Sequence, residues 1–364
     1  MTYRPTVAVV DLDAVGHNVR RLKPPDADLL AVVKADGYGH GAVPVARAAL
    51  DAGATWLGVA LVEEGIALRE AGVGAPILVL SESPRGAEGD ALAAGLTPTL
   101  YTEDGLDALA AAAHGRRIGA HVKLDTGMHR VGLDPVKAEP FVRTAVERGL
   151  TLDGLWTHFA AADEPGNPSA TRQLRRYLDA VEGLARAGFR PRLRHAANSA
   201  ATLTMPESHL DLVRTGIAVY GLAPSAALGR FDLRPAMSLR SRVGMVKRVP
   251  AGEAVSYGLR YRLERESTIA TVPVGYADGY SRLLSGRAQV LLRGRRYPVA
   301  GTITMDQLMV DCGDDPVEAG DEIVLFGAQG NDEITADEVA GWYGTIGYEV
   351  VCAVGDRVPR EHGP

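Results

Sequence analysis

Leu29-Leu-Ala-Val-Val-Lys-Ala-Asp-Gly-Tyr-Gly-His-Gly41 is an apolar run that ends in a lysine and then in a glycine-rich turn. Leu29, Leu30, Ala31, Val32, Val33 and Ala35 surround Lys34 without the alternation of a half-exposed strand. That is the pattern of a parallel strand covered on both faces. Lys34 is the anomaly in it. A buried ammonium is costly, so such a lysine either snorkels out at the strand end or has its pKa lowered until it is a neutral amine able to form an imine with a carbonyl. Gly37, Gly39 and Gly41 would let the backbone turn tightly and approach an anionic group closely. A lone lysine at a strand end is more often an exposed loop charge, but the glycine triplet interleaved with Tyr38 and His40 favours a site.

Outward from that strand, short apolar runs alternate with alanine-rich amphipathic stretches over residues 29 to 221. Eight runs qualify: Leu29–Ala35, Trp56–Leu61, Ile77–Ser81, Thr97–Tyr101, Ala120–Asp125, Leu152–Phe159, Leu193–Asn198 and Leu210–Tyr220. Helices are expected between most of them, at Val43–Ala52, Glu63–Ala71, Thr102–Ala113, Pro135–Arg148 and Ala170–Ala187. Strand and helix repeated at this spacing imply parallel pairing with right-handed crossovers. Eight repeats allow closure into a (β/α)8 barrel; an open doubly wound sheet is the rival, but its glycine fingerprint GxGxxG is missing.

From about Ser238 the pattern changes. Ser238–Val249, Ser267–Val274, Ala288–Arg293, Tyr297–Val310, Glu322–Phe326 and Val350–Val354 read as strands, and one helix is expected within Asp332–Gly344, where Thr335 and Glu338 have capping-box spacing. The reading is an α/β chain, with a barrel over 1–235 and a mainly β domain over 236–364, joined near Phe231–Met237. Val7–Asp11 is left over from the barrel count and is a candidate to pair with the C-terminal domain.

A chain of 364 residues suggests two or three domains, and 46% hydrophobic residues supply a sizeable core. A net charge of -6 argues against a nucleic-acid partner. The N-terminus has no apolar core of signal-peptide length and no segment approaches a membrane span, so a cytoplasmic protein is expected. Cys312 and Cys352 are the only cysteines and form no CxxC or Cys/His cluster, so neither a disulfide framework nor a metal site is suggested.

Catalytic residues of barrels sit at the C-terminal ends of the strands. Lys34 ends the first run; Lys123, Asp125 and Arg130 lie at and after the fifth; His158 ends the sixth; Asn198 and Ser199 end the seventh; Arg214 lies in the eighth, before Gly216. Singly each has an ordinary explanation: a structural histidine for His158, an ion pair with Asp211 or Glu207 for Arg214. Jointly they favour one mouth lined with a buried lysine, anion-binding backbone and cations.

Ala31-Val-Val-Lys-Ala-Asp-Gly-Tyr-Gly-His-Gly41 resembles the pyridoxal phosphate attachment motif of bacterial alanine racemases. Lys123-Leu-Asp-Thr-Gly-Met-His-Arg130-Val-Gly, Thr157-His-Phe, His195-Ala-Ala-Asn-Ser199, Val213-Arg-Thr-Gly-Ile217, Val255-Ser-Tyr-Gly258, Gly275-Tyr-Ala-Asp-Gly279, Met305-Asp-Gln and Tyr348-Glu-Val are similar to further motifs of that family, in its order and over nearly the whole chain.

The resemblance implies a barrel binding pyridoxal 5'-phosphate, with Lys34 as its attachment point and as base on one face of the substrate α-carbon. It implies a cofactor pocket of Tyr38, His158, Asn198, Ser199, Arg214, the amides of Gly216 and Ile217, and Tyr348. Arg214 would face the pyridine nitrogen and, being protonated, keep the ring nitrogen unprotonated and the electron sink weak. Tyr257 matches the second base, tuned through His158 and Arg214; Arg130 and the Met305 amide would take the substrate carboxylate. Lys123 matches a position carbamylated in many relatives. Asp163, Tyr276, Arg282, Asp306 and Ile346 match channel and supporting positions.

Departures are Gly347, where asparagine is common, Thr302, where arginine often lines the access channel, and Thr304, where cysteine often precedes the methionine. The expected activity is interconversion of L- and D-alanine for peptidoglycan, by a homodimer with shared sites. The alternatives are a broader amino-acid racemase, a decarboxylase of the same two-domain plan, or a non-catalytic cofactor carrier.

Overall fold

The computed structural model describes residues 3–229 and 231–363; the first two residues of the N-terminal stretch, Arg230 and Pro364 lie outside that description. The chain divides into two compact units, one of residues 14–37 and 42–234, the other of residues 1–13, 38–41 and 235–364.

The first unit is a (β/α)8 barrel. Its strands are β2 (Asp28–Val32), β3 (Trp56–Val59), β4 (Ile77–Val79), β5 (Thr99–Leu100), β6 (Ile118–Lys123), β7 (Leu150–Trp156), β8 (Leu193–His195) and β9 (Leu212–Thr215), following β1 (Val7–Asp11) of the other unit. They form two parallel four-stranded arcs, β4-β3-β2-β9 and β5-β6-β7-β8. The arcs meet at a parallel bridge between Leu78 and Thr97 and, on the far side, through the Asp211 amide to Arg194 O and the Arg214 amide to Ala197 O, at 3.1 and 3.0 Å. The ring is thereby closed, with no exposed edge.

Leu29, Leu30 and Ala31 are fully buried, as a run covered on both faces requires. The covering layer is α1 (Leu12–Leu22), α2 (Ala42–Asp51), α3 (Val62–Glu70), α4 (Glu88–Ala93), α5 (Glu103–Ala113), α6 (Ala138–Glu147), α7 (Ser169–Arg186) and α8 (Ser199–Thr204). Leu29–Ala35 and Leu210–Tyr220 are shorter as strands than the apolar runs suggest. Backbone with positive φ follows the first, and a 3₁₀ turn at Ile217–Tyr220 ends the second.

The second unit is mainly β. One sheet runs β16 (Arg295–Pro298), β15 (Gln289–Leu292), β18 (Glu322–Gln329), β10 (Met237–Arg242), β1, β20 (Arg360–Gly363), with β19 (Asp332–Ile334) beside β18. A second contains β11 (Met245–Val249), β14 (Ser267–Val272) and β17 (Leu308–Asp311); β12 (Ala254–Val255) and β13 (Tyr261–Arg262) form a short ribbon. β1 lies between β10, antiparallel, and β20, parallel.

Three runs differ from the sequence reading. Ser238–Val249 is two strands broken after Arg242, and Tyr297–Val310 is the end of β16, a loop and β17. Val350–Val354 is not a strand: it falls largely in helix α10 (Gly347–Cys352), after α9 (Ala336–Tyr343). Among the described residues no helix is long and apolar enough to cross a membrane.

Candidate active site

β2 ends at Val32, and Val33 still donates to Gly58 O at 2.8 Å, so Lys34 is the first side chain past the strand. The next four residues, Ala35, Asp36, Gly37 and Tyr38, have φ of +51°, +50°, +61° and +52°. Left-handed backbone costs a side-chain-bearing residue about 1–2 kcal/mol, so this turn must be held from outside. Glu64 does so: Oε1 accepts the Ala35 amide at 2.7 Å, and Oε2 accepts those of Ala60 and Leu61 at 2.8 and 3.1 Å. Asp36 Oδ1 accepts the Ala42 amide at 2.8 Å. The Gly37 amide donates to Val33 O, and a Cβ on Gly39 would fall 2.5 Å from Val351 O.

On β9, adjacent to β2, Arg214 is buried and tied down. Nη1 lies 3.1 Å from His195 Nδ1; Nη2 donates to Thr157 O at 2.7 Å and Ala196 O at 3.1 Å and lies 3.4 Å from His158 Nδ1. Among the described residues Nε has no protein acceptor. Burial pulls Arg214 down to about 9, which leaves it cationic at neutral pH. His158 is held well below the ordinary imidazole range by burial and then by Arg214 and Lys123, so it is neutral. Lys123, at the end of β6 and 4% exposed, is lowered to about 7, first by burial and then by Arg130 and Arg214. Its Nζ lies 4.4 Å from the centroid of the Trp156 ring, and the Arg214 guanidinium carbon lies 4.7 Å from the same centroid.

Arg130 is exposed, with no ion-pair partner among the described residues. Its loop is shaped by Asp125, whose Oδ1 accepts the amides of Gly127, Met128 and His129, each at 3.0 Å. Burial alone would raise the Asp125 carboxyl, but those amides hold it low and ionised. Lys34, Lys123, Arg130 and Arg214 all lie close enough to act electrostatically on His158, a cluster of basic groups suited to anionic ones.

Asn198 and Ser199 follow β8. Asn198 Oδ1 caps α8 through the Ala201 amide at 3.0 Å, and Ser199 Oγ accepts the Gly216 amide at 2.9 Å. With the Gly216 amide so engaged, that of Ile217, which opens a 3₁₀ turn and has no partner inside it, is the more available of the two. Asp163 is half-buried in the segment between β7 and α7.

The other residues named from the sequence lie in the mainly β unit. Tyr257 is 75% exposed, between Ser256 and Gly258, both with positive φ. Thr302 donates to Tyr257 O at 2.8 Å and accepts from Ser256 at its own carbonyl at 2.6 Å. Thr302, a departure from the family's channel pattern, therefore braces the tyrosine turn. Met305 sits in the loop after β16. The Tyr276 and Ala277 amides donate to Thr304 O and Met305 O at 3.0 and 3.1 Å, and a Cβ on Gly275 would strike Met305 O at 2.3 Å. Asp306 pairs with Arg357 at 2.8 Å. Tyr38 and Tyr348 have ring centroids 6.3 Å apart; Tyr276, Arg282 and Ile346 are exposed.

Four features escaped the sequence reading: the Glu64 clamp, Trp156, the Thr126–Thr157 hydroxyl pair at 2.7 Å, and buried His121. For His121 a signal existed. It stands two residues before Lys123 on one strand, so both project to the same side.

The N-terminal domain model of the alanine racemases matches residues 10–224 and the C-terminal domain model matches 236–362. The chain is 53% identical to the alanine racemase of Symbiobacterium thermophilum, over 99% of this chain and 97% of that one. It is 48% identical to that of Desulfovibrio desulfuricans, over 98% of each. Among solved structures, an alanine racemase from Streptomyces lavendulae superposes with a TM-score of 0.95 at 45% identity, covering 100% of this chain and 98% of that one. The alanine racemase of Bacillus anthracis, solved with bound L-Ala-P, gives 0.94 at 40% identity, covering 100% and 96%. With both domain models matched in order and near-full-length relatives at this identity, the chain belongs to the alanine racemase family and is an isomerase that interconverts L- and D-alanine.

Proposed function

We propose that the racemisation runs on pyridoxal 5'-phosphate carried by Lys34, with Lys34 and Tyr257 as the two acid–base groups. The observation that supports it best is the setting of Lys34: an amine at a clamped left-handed turn just past β2, the strand adjacent to that of Arg214, a buried guanidinium whose Nε has no protein acceptor among the described residues. The donor set fits the cofactor. Ser199, the Ile217 amide, Tyr38 and Tyr348 are neutral donors for a phosphate, Asn198 and Gly216 shape its pocket, and Arg214 Nε suits the lone pair of a pyridine nitrogen. When bound, the cofactor withdraws electrons from the substrate α-carbon and acidifies its C–H bond.

The Lys34 amine removes that proton from one face, and the Tyr257 hydroxyl supplies one from the other; in the reverse reaction the roles exchange. An ordinary phenol, with a pKa of about 10, is a poor base at neutral pH. His158 is the proposed partner that tunes it: its Nδ1 faces Arg214, so its proton sits on Nε2 and is available to the phenol oxygen. Arg130, exposed and without an ion-pair partner among the described residues, and the Met305 amide are proposed to take the substrate carboxylate, and Asp306 to brace that loop through Arg357. Lys123, with a neutral amine within reach at neutral pH, is proposed to be carbamylated and to hold Arg130.

The proposed working unit is a homodimer in the cytoplasm, supplying D-alanine for peptidoglycan. Asp163, Tyr276, Arg282 and Ile346 are proposed to line its access channel. The test is chiral analysis of L-alanine incubated with the protein, with and without added pyridoxal phosphate. Accumulation of D-alanine that depends on the cofactor supports the reading, and cofactor-independent racemisation rules it out.

A further inference from the structure

Inside the barrel, two histidines that the proposed chemistry does not use stand in line with Arg214. His195 Nδ1 is 3.1 Å from Arg214 Nη1, and His195 Nε2 is 3.0 Å from His121 Nδ1; both rings are fully buried. The direction of each bond is forced. A guanidinium has donors and no acceptor, so His195 Nδ1 must accept and its proton sits on Nε2. That proton is donated to His121 Nδ1, and His121 therefore carries its own on Nε2, an atom without a hydrogen-bond partner among the described residues. Burial, reinforced by nearby arginines, holds both imidazoles neutral, His121 down to about 3. One proton arrangement accounts for both contacts of the line.

The barrel makes room for this line. Gly154 lies opposite His121 in the pairing of β6 with β7, at a register shift that follows Ala120. A Cβ at residue 154 would fall 2.4 Å from Cγ and Nδ1 of His121. The φ of Gly154 is not in the left-handed region, so the demand for glycine here is for space alone. The Trp156 ring stacks on His195 at 5.6 Å and 8°, and Trp56 lies 5.4 Å from His121.

We propose that His121, seated over Gly154, is a positioning residue: by accepting from His195 it fixes the tautomer that accepts from Arg214, holding one edge of the guanidinium and leaving Nε for the cofactor's ring nitrogen. This rests on the reading that Arg214 meets that nitrogen. Without an acceptor at residue 121, His195 Nε2–H is buried and unsatisfied, and the opposite tautomer would aim a second donor at Arg214.

Histidine-selective ¹⁵N labelling of the full chain, with and without pyridoxal phosphate, tests the line directly, because long-range ¹H–¹⁵N correlations at neutral pH report which ring nitrogen bears the proton. The expected result is an unprotonated Nδ1 in both His121 and His195; a protonated Nδ1 in either overturns the proposal. In the loaded protein, His121→Phe should raise transamination relative to racemisation by about tenfold, the size expected for losing a hydrogen bond to a charged group. His121→Gln, which keeps a side-chain acceptor, should reverse most of that change. A folded His121→Phe protein with the parent's partition overturns the proposal, and if that variant does not fold, the parent's tautomers decide it. An unchanged partition in Arg214→Glu overturns instead the placement of the cofactor on which the role depends, whatever the tautomers.

Discussion

Lys34 is the residue on which the proposed chemistry turns, and its environment explains why the chain tolerates an expensive backbone around it. Three left-handed residues that are not glycine are kept by Glu64 and Asp36, which pin the turn that aims the amine. Borohydride treatment of the loaded protein should fix the cofactor on the peptide containing Lys34; label on any other lysine defeats the assignment. Glu64→Gln keeps the shape but weakens three acceptor contacts, so it should lower racemisation while leaving the labelled peptide the same. Arg214→Glu should lower racemisation while transamination rises relative to it, because a carboxylate favours a protonated ring nitrogen. That variant also leaves Thr157 O and Ala196 O without their donor, so unfolding should show a loss of about 1–3 kcal/mol for each buried group left unsatisfied.

Elements show where local pattern was legible and where it was not. The eight barrel runs were readable because each is apolar and bounded by helix signals. Thr335 was readable as a cap and does accept the Glu338 amide, at 3.0 Å. Glu338 itself does not close the box; its carboxylate pairs with Arg296, a long-range partner that spacing cannot reveal. Val350–Val354 misled because a short apolar run has no period; here Val350 and Val351 are buried residues of α10, while Cys352 and Ala353 are exposed. The site showed the same limit. Residues past strand ends were legible as types, whereas the tie of Arg214 to His195 and His121 depends on which strands become neighbours.

That buried line also makes a prediction for β6. His121 is neutral when folded, with its pKa lowered to about 3, whereas the unfolded chain binds the proton near 6.5. The stabilising contribution of the neutral ring is therefore present above about 6.5 and is lost as pH falls below it. Between about pH 6.5 and 4.5 the loss is roughly 2 kcal/mol. Urea unfolding at the two pH values should show His121→Gln losing less stability than the parent by about that amount; equal losses would mean that His121 is already charged in the folded protein.

For the molecule as a whole, the division of labour poses the decisive question. The amine and its guanidinium belong to the barrel, while Tyr257 and Met305 belong to the mainly β unit, where they stand 75% and 52% exposed together with Leu259, Leu283 and Ile346. So much apolar surface around chemically equipped residues suits burial against a second copy, and a two-fold pair would generate two equivalent composite sites. A positioned acid or base contributes about 10²–10⁴ in rate, so Lys34→Ala and Tyr257→Ala proteins should each be nearly inactive. Mixed and allowed to exchange subunits, they separate the two arrangements. If sites are shared, a mixed dimer carries both defects in one site and none in the other, and its activity should return to about half that of the parent dimer. If each site is built from a single chain, every site keeps one defect and nothing returns. Mixed dimers shown by mass to be present, yet without activity, would exclude the shared site and place Tyr257 in service of its own barrel.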